Sequence, residues 1–180
     1  MDVLSLKQIN NLLFKISIGD RAALKQLYEA LRMPLFMYIK TILKKQEPSE
    51  DITQQVFVEI MGSVCSFKHG TNGKAWIFSI ARNLCIDYIK REKREIAVDD
   101  KTLNYNTKHL ESLDEKTMVY EALNKLNDME KQIIVLYVYA GFTQIEISKL
   151  IGIPYIKTRS MYGYAIRKLR AFYGGERDEN

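Results

Sequence analysis

The sequence predicts an all-α protein made of two small helical domains joined by a flexible linker, and three observations carry that expectation. Apolar residues recur at helical spacing through most of the chain. No run alternates apolar and polar residues as a half-buried strand would. Between the periodic halves, "EIAVDDKTLNYNTKHLESLDEK" is poor in large apolar residues and lacks a sustained period, which suits a tether. The expected division is residues 1–95, a linker at 96–115, a second domain at 116–175 and a tail at 176–180.

In the first half, Leu4, Leu6, Ile9, Leu12, Leu13 and Ile16 form a stripe that ends before Gly19-Asp20. This opening lacks the basic start and apolar block of a secretion signal. Further stripes run from Arg21 to Lys44, Ser49 to Val64 and Lys74 to Arg94, with breaks expected at Glu47-Pro48 and in the loop Ser66 to Gly73. Prolines stand only at positions 34, 48 and 154, so long helices are permitted. Periodicity resumes near Met118 and continues to Tyr173, broken at Asn127-Asp128, Gly141-Phe142 and Gly152. The longest apolar run, Ile133 to Ala140, is far below the roughly 20 residues of a spanning helix, so no membrane insertion is expected.

A chain of 180 residues with 47% hydrophobic content can build both cores, and a net charge of +5 favours an anionic partner. Cys65 and Cys85 sit in apolar helical patterns, where reduced thiols act as small hydrophobes and suit a cytoplasmic chain. Cys65 and His69 have a metal-like spacing, but with His109 the only other histidine a closed zinc site lacks ligands. No metal or other cofactor is expected. No phosphate-cradling glycine loop or nucleophile and base spacing is found, so the chain is not read as an enzyme.

The sharpest local signal is "GFTQIEISKLIGIPYIKTRSMYGYAIRKLR". Thr143 and Glu146 have the spacing of a capping box, Gly152 permits the left-handed residue that ends a short helix, and Pro154 suits the first turn of the next. This order is that of a helix-turn-helix. In the second helix Thr158, Tyr162, Ala165 and Leu169 share the inward stripe, leaving Tyr155, Lys157, Arg159, Ser160 and Tyr164 for the outer side. A helix about 10–12 Å across fits the major groove of DNA, where short donors and cations reach base edges. An ordinary helical hairpin with a solvated basic face is the plainer alternative.

The stretch "NGKAWIFSIARNLCIDYIKREKR" places the only tryptophan at the head of an apolar run that ends in positive charge. Ile77, Ile80, Ala81, Leu84 and Tyr88 are expected on one face, and Ser79, Arg82, Asn83, Ile86 and Lys90 on another. Asn83 offers both a donor and an acceptor to a base edge, whereas Lys90, Arg91, Lys93 and Arg94 can hold phosphates. Trp76, beside a loop with Phe67, Lys68 and Asn72, offers a surface for an unstacked base, though a tryptophan next to an apolar stripe is also ordinary core. The preceding "EPSEDITQQVFVEIM" contains no Lys or Arg. With Ile52, Val56 and Ile60 inward, Asp51, Gln54, Gln55 and Val58 form an acidic, amide-rich patch suited to a protein partner, with Phe57 at its border.

Over nearly its whole length the chain resembles the extracytoplasmic-function (ECF) sigma factors of bacterial RNA polymerase. "SEDITQQVFVEIM" resembles the family's core-binding segment, "GKAWIFSIARNLCIDYIKREKR" its promoter-melting and minus-ten segment, and "ALNKLNDMEKQIIVLYVYAGFTQIEISKLIGIPYIKTRSMYGYAIRKLR" its minus-thirty-five domain. The resemblance implies that the loop Phe67 to Lys74 receives an extruded base, that Trp76 helps separate the strands, that Asn83 approaches the minus-ten sequence, and that Lys90 to Arg94 grip backbone. It also implies that Asp51, Gln54, Gln55 and Phe57 contact the polymerase, and that an anti-sigma factor is a partner. The chain departs from the family at "KTRSM", where Thr-Val-Lys-Ser-Arg is common, so the minus-thirty-five sequence does not carry over. Two other functions are consistent with parts of the sequence: a stand-alone helix-turn-helix regulator with an N-terminal dimerisation or sensing domain, and a helical adaptor that binds proteins only.

Overall fold

The computed structural model describes residues 4–98 and 118–175. The protein is all-α, with no strand among the described residues. Five elements precede residue 99: α1 (Leu6–Ser17), α2 (Arg21–Leu43), α3 (Gln46–Ser63), a 3-10 turn (Val64–Ser66) and α4 (Gly73–Val98). Four follow residue 117: α5 (Met118–Asn124), α6 (Asp128–Val138), α7 (Gln144–Ile151) and α8 (Tyr155–Gly175). The chain separates into two compact units between residues 110 and 111. Most of the expected linker, with His109, lies outside the described residues, as does the expected tail; α4 itself continues past Arg94 to Val98.

In the N-terminal unit α2 packs against α1, α3 and α4, and α4 also meets α1 and α3. Ser5 and Gln8 form the capping box that starts α1. The Asp20 carboxylate starts α2 by accepting the amide protons of Ala22 and Ala23 at 2.9 and 3.1 Å. Helix α2 runs through the buried Pro34 and stops at Lys44, whose φ of 59° is left-handed. The break expected at Glu47-Pro48 therefore falls earlier. Pro48 sits in the first turn of α3, where a missing amide proton costs no intrahelical bond. Ser49 and Thr53 are buried polar residues of α3, and their hydroxyls donate to the Lys45 and Ser49 carbonyls at 2.5 and 2.6 Å.

Leu13, Leu27, Leu35, Ile39, Ile60, Ile77 and Phe78 form the centre of this core, with the Tyr38 and Phe78 rings 5.6 Å apart. The Tyr38 hydroxyl is buried without a hydrogen-bond partner, and desolvation pushes its pKa well above the usual phenol range. The inward stripe of α4 differs from the expected one. Ile77, Phe78, Ala81 and Cys85 are buried, whereas Ile80, Leu84 and Tyr88 are only half-buried, because neighbours on several sides draw the burial towards Phe78 and Cys85. Burial pushes the Cys85 thiol up to about 12. Cys65 is exposed on the 3-10 turn, so its expected role as a buried hydrophobe is corrected.

The C-terminal unit packs α8 against α5, α6 and α7. Leu126, Ile134 and Ala165 are buried together, flanked by Leu123, Tyr162, Ile166 and Leu169. Asn127 and Glu130 form a capping box at α6. Glu130 is buried, and Lys168 of α8 donates to both its carboxylate oxygens at 3.0 and 2.7 Å. Burial opposes the charged carboxylate, but the hydrogen bonds from Lys168 and the Asn127 amide, with the lysine charge, outweigh it and hold Glu130 below its ordinary pKa.

Candidate nucleic-acid interface

Three solvent-facing surfaces contain the residues singled out by sequence. On α3, Asp51, Gln54 and Gln55 are exposed alongside Glu59, and the apolar members of this face are Val58 at 52% and Met61 at 51% exposure. Phe57 does not border the patch as expected. It is 6% exposed and its ring lies 4.8 Å from that of Tyr28, so it fastens α3 to α2. Sequence reasoning passed over Met61, although its spacing of three from Val58 places both on one helical face.

The second surface begins at the loop before α4. Gly70, with φ of 87°, turns the chain, and Thr71 closes the turn by donating its amide and hydroxyl to the Lys68 carbonyl at 3.2 and 2.7 Å. Lys68 and His69 are exposed. Phe67 is turned inward at 4% exposure, its ring 5.2 Å from Trp76 and 5.7 Å from His69, so it supports the loop from beneath. Asn72 accepts the Ala75 amide proton at 2.9 Å as the cap of α4, and Lys74 is buried. These three residues therefore differ from the open loop positions expected of them. Trp76 is half-buried, which leaves part of its ring at the surface.

Beyond it, Arg82 is half-buried and Asn83, Lys90, Arg91, Lys93 and Arg94 are exposed. Two of the acidic residues among these cations are paired. Asp87 pairs with Lys90 at 3.8 Å, and Glu92 accepts a hydrogen bond from Lys45, which raises the lysine pKa. Arg91 lies over the Tyr88 ring, 5.7 Å from its centroid. The end of α4 is thus a largely cationic surface able to meet phosphates.

The third surface is the helix-turn-helix of α7 and α8. The Glu146 amide donates to the Thr143 hydroxyl oxygen at 3.3 Å, while the Glu146 carboxylate accepts from the Thr143 amide and hydroxyl, each at 2.8 Å. Thr143 is exposed, with its hydroxyl engaged in this cap. Gly152 ends α7 with φ of 75° and donates to the Ser148 carbonyl at 3.0 Å. Pro154 lies just before α8 and not in its first turn as expected, and its carbonyl accepts the Thr158 amide proton at 3.0 Å, so it caps the helix from outside. Thr158 and Ala165 are fully buried, which directs Tyr155, Lys157, Arg159, Ser160 and Tyr164 to solvent. Arg167 stacks 4.5 Å from the Tyr164 centroid beside an open groove of about 380 Å³ lined by Tyr155, Ile156, Arg159 and Ser160 among others. Sequence reasoning missed Ile156, which is 78% exposed at the start of α8 and apolar enough to meet a thymine methyl.

Two helical units, one with a capped helix-turn-helix and the other with a basic helix behind a closed loop, define a two-domain DNA-binding protein. Family models match both units: Sigma-70 region 2 over residues 27–95 and Sigma-70, region 4 over residues 122–171. The chain belongs to the sigma-70 family and is a sigma factor of its ECF group. It directs promoter-specific transcription, with RNA polymerase and promoter DNA as its partners. Its relatives include ECF RNA polymerase sigma factor SigK of Mycobacterium tuberculosis, 23% identical over 90% of this chain and 91% of that one. Another is ECF RNA polymerase sigma factor SigM of Bacillus subtilis, 23% identical over 86% of this chain and 98% of the relative. Among solved structures, CnrH in complex with the cytosolic domain of CnrY is similar with a TM-score of 0.63 at 20% identity, covering 93% of this chain and 98% of that one. RpoE in complex with the anti-sigma factor NepR from Bartonella quintana gives a TM-score of 0.63 at 23% identity, covering 83% of this chain and 96% of that one.

Proposed function

We propose that residues 1–95 bind core polymerase and open the minus-ten element, while residues 116–175 read the minus-thirty-five element. Three chemically distinct solvent faces in one chain support this most directly: acidic and amide-rich on α3, aromatic then basic at α4, and basic with tyrosines on α8. In this reading Asp51, Gln54 and Gln55 meet the polymerase, with Phe57 holding their helix in place. Lys68, Trp76, Arg82 and Asn83 meet unpaired bases, and Phe67, Asn72 and Lys74 shape the loop that presents them. Lys90, Arg91 and Arg94 neutralise phosphates. Tyr155, Lys157, Arg159, Ser160 and Tyr164 face the minus-thirty-five duplex, held by the helix that Thr143 caps.

The protein acts by binding and is not an enzyme. It works in the cytoplasm, where its template and polymerase are, and no helix among the described residues is long and apolar enough to cross a membrane. An anti-sigma factor controls it by covering the same faces, a reading supported by its structural similarity to RpoE, whose complex contains an anti-sigma factor.

Promoter-directed run-off transcription with purified core polymerase tests the division of labour. Arg159→Ala lowers promoter affinity about tenfold and leaves polymerase affinity unchanged, the size expected for one lost bidentate base contact. Equal loss of both affinities would contradict the assignment.

A further inference from the structure

Helix α1 precedes residues 27–95, which the region 2 model matches, yet it makes the contacts that fix the loop before α4. The Asn10 side chain reaches across that loop with both of its polar atoms. Its Nδ2 donates to the Thr71 carbonyl at 2.8 Å, and its Oδ1 accepts the Gly73 amide proton at 3.0 Å. Among side chains of this reach, only a carboxamide supplies a donor and an acceptor side by side in this way. The fit also requires glycine at position 73, because a Cβ there would stand 2.5 Å from Asn10 Oδ1 and 2.6 Å from Leu13 Cδ1.

A second contact fixes the other end of the loop. The ring of Phe14, on α1, lies edge-on 5.5 Å from His69, which in turn lies 5.7 Å from Phe67. The loop is thus held from α1 at residues 69, 71 and 73, while its own turn joins Thr71 to Lys68. The exposed groups of Lys68 to Thr71 are left facing solvent on a loop tied to α1 on either side of its turn.

We propose that α1 is a lock that preorganises the loop for an unpaired DNA base, with Asn10 as its positioning residue. The inference rests on the minus-ten reading above. A loop already fixed in its binding shape pays less ordering entropy when a base enters it, so the lock acts on strand opening rather than on polymerase binding. Asn10 touches no DNA in this arrangement and works through Thr71 and Gly73.

The test uses full-length protein with core polymerase and a promoter carrying 2-aminopurine in the minus-ten element. Asn10→Ala is expected to slow opening within the formed complex about tenfold, the effect of re-ordering about one residue on binding. The polymerase affinity and closed-complex affinity are expected to stay within twofold of the parent. A merely structural defect would instead lower the fraction of active complexes and leave the opening rate of those that form unchanged, and that result would overturn the proposal. Amide hydrogen exchange gives an independent readout: residues 71–73 exchange faster in Asn10→Ala while α2 and α3 keep their protection, and unchanged loop exchange would equally overturn it. Lys68→Ala combined with Trp76→Ala serves as the control for the underlying reading. If that pair slows opening but Asn10→Ala does not, the lock fails and the minus-ten reading stands; if neither slows opening, both fail.

Discussion

The two surfaces proposed to face DNA are held in place by opposite means. In the C-terminal unit, the helix-turn-helix is set by contacts between near neighbours: Thr143 with Glu146, Gly152 with Ser148 and Thr158 with Pro154. In the N-terminal unit, the loop before α4 is fixed by Asn10, 61 and 63 residues away from its partners. Short-range contacts set the turn of the proposed reading motif from its own residues, although α8 still packs on α5 and α6. Long-range contacts make the proposed melting loop dependent on a helix far from it in the sequence. Damage should therefore spread differently through the two units.

The largest effects are expected in the separate cores. Phe78 is fully buried in the N-terminal unit and Phe142 is 1% exposed in the C-terminal one. Truncating either to alanine should cost about 3–5 kcal/mol. Differential scanning calorimetry should show Phe78→Ala lowering only the transition of residues 1–110, and Phe142→Ala only that of residues 111–180. A shared shift in both variants would break the comparison.

Next in size is the pairing of the buried Glu130 with the more exposed Lys168 in the C-terminal unit. Glu130→Gln should destabilise that unit by about 2 kcal/mol at neutral pH by weakening a charge-assisted hydrogen bond. Because the folded state holds Glu130 below its ordinary pKa, its contribution is complete above the usual carboxylate range. It is lost as pH falls through the depressed folded value. Chemical denaturation of the parent should therefore show a steeper loss of stability on acidification than the variant, and parallel pH profiles would contradict the assignment.

A smaller effect sharpens the contrast between local and distant support. Thr143→Ala removes one half of a capping box and should cost about 1 kcal/mol. It should lower minus-thirty-five affinity modestly, measured by fluorescence anisotropy of the polymerase complex, and leave strand opening untouched. The smallest perturbation is chemical: iodoacetamide should modify the exposed Cys65 in the native protein, while Cys85, buried with its pKa raised to about 12, reacts only after unfolding. Mass spectrometry of the native protein with both thiols modified at equal rates would contradict the described core.

The same contrast explains what the sequence made legible. The helix-turn-helix could be read residue by residue, because the capping box and the left-handed glycine are local chemistry with local markers. The start of α3 was misplaced because its turn uses a lysine at positive φ, and neither glycine nor proline announces it. Periodicity placed Ile80 and Leu84 on the inner face of α4, but burial follows the neighbouring helices and settles on Phe78 and Cys85. Phe57 and Phe67 were expected near the surface and are core, since an aromatic residue at the edge of a stripe is equally consistent with either. Asn10 had no sequence signal at all; its meaning exists only once residues 71 and 73 are folded against it.

A polymerase surface on α3 and a separate promoter surface on α8, as proposed, should fail independently of each other. The most direct test is gel filtration of the purified protein with bacterial core RNA polymerase, with and without promoter duplex, comparing the parent with Asp51→Ala/Gln54→Ala and with Arg159→Ala. Expected are stoichiometric co-elution of the parent with core, loss of co-elution for the α3 double variant, and normal co-elution but weakened promoter retention for Arg159→Ala. Tight duplex binding by the folded protein alone, with no association with core polymerase, would contradict this reading.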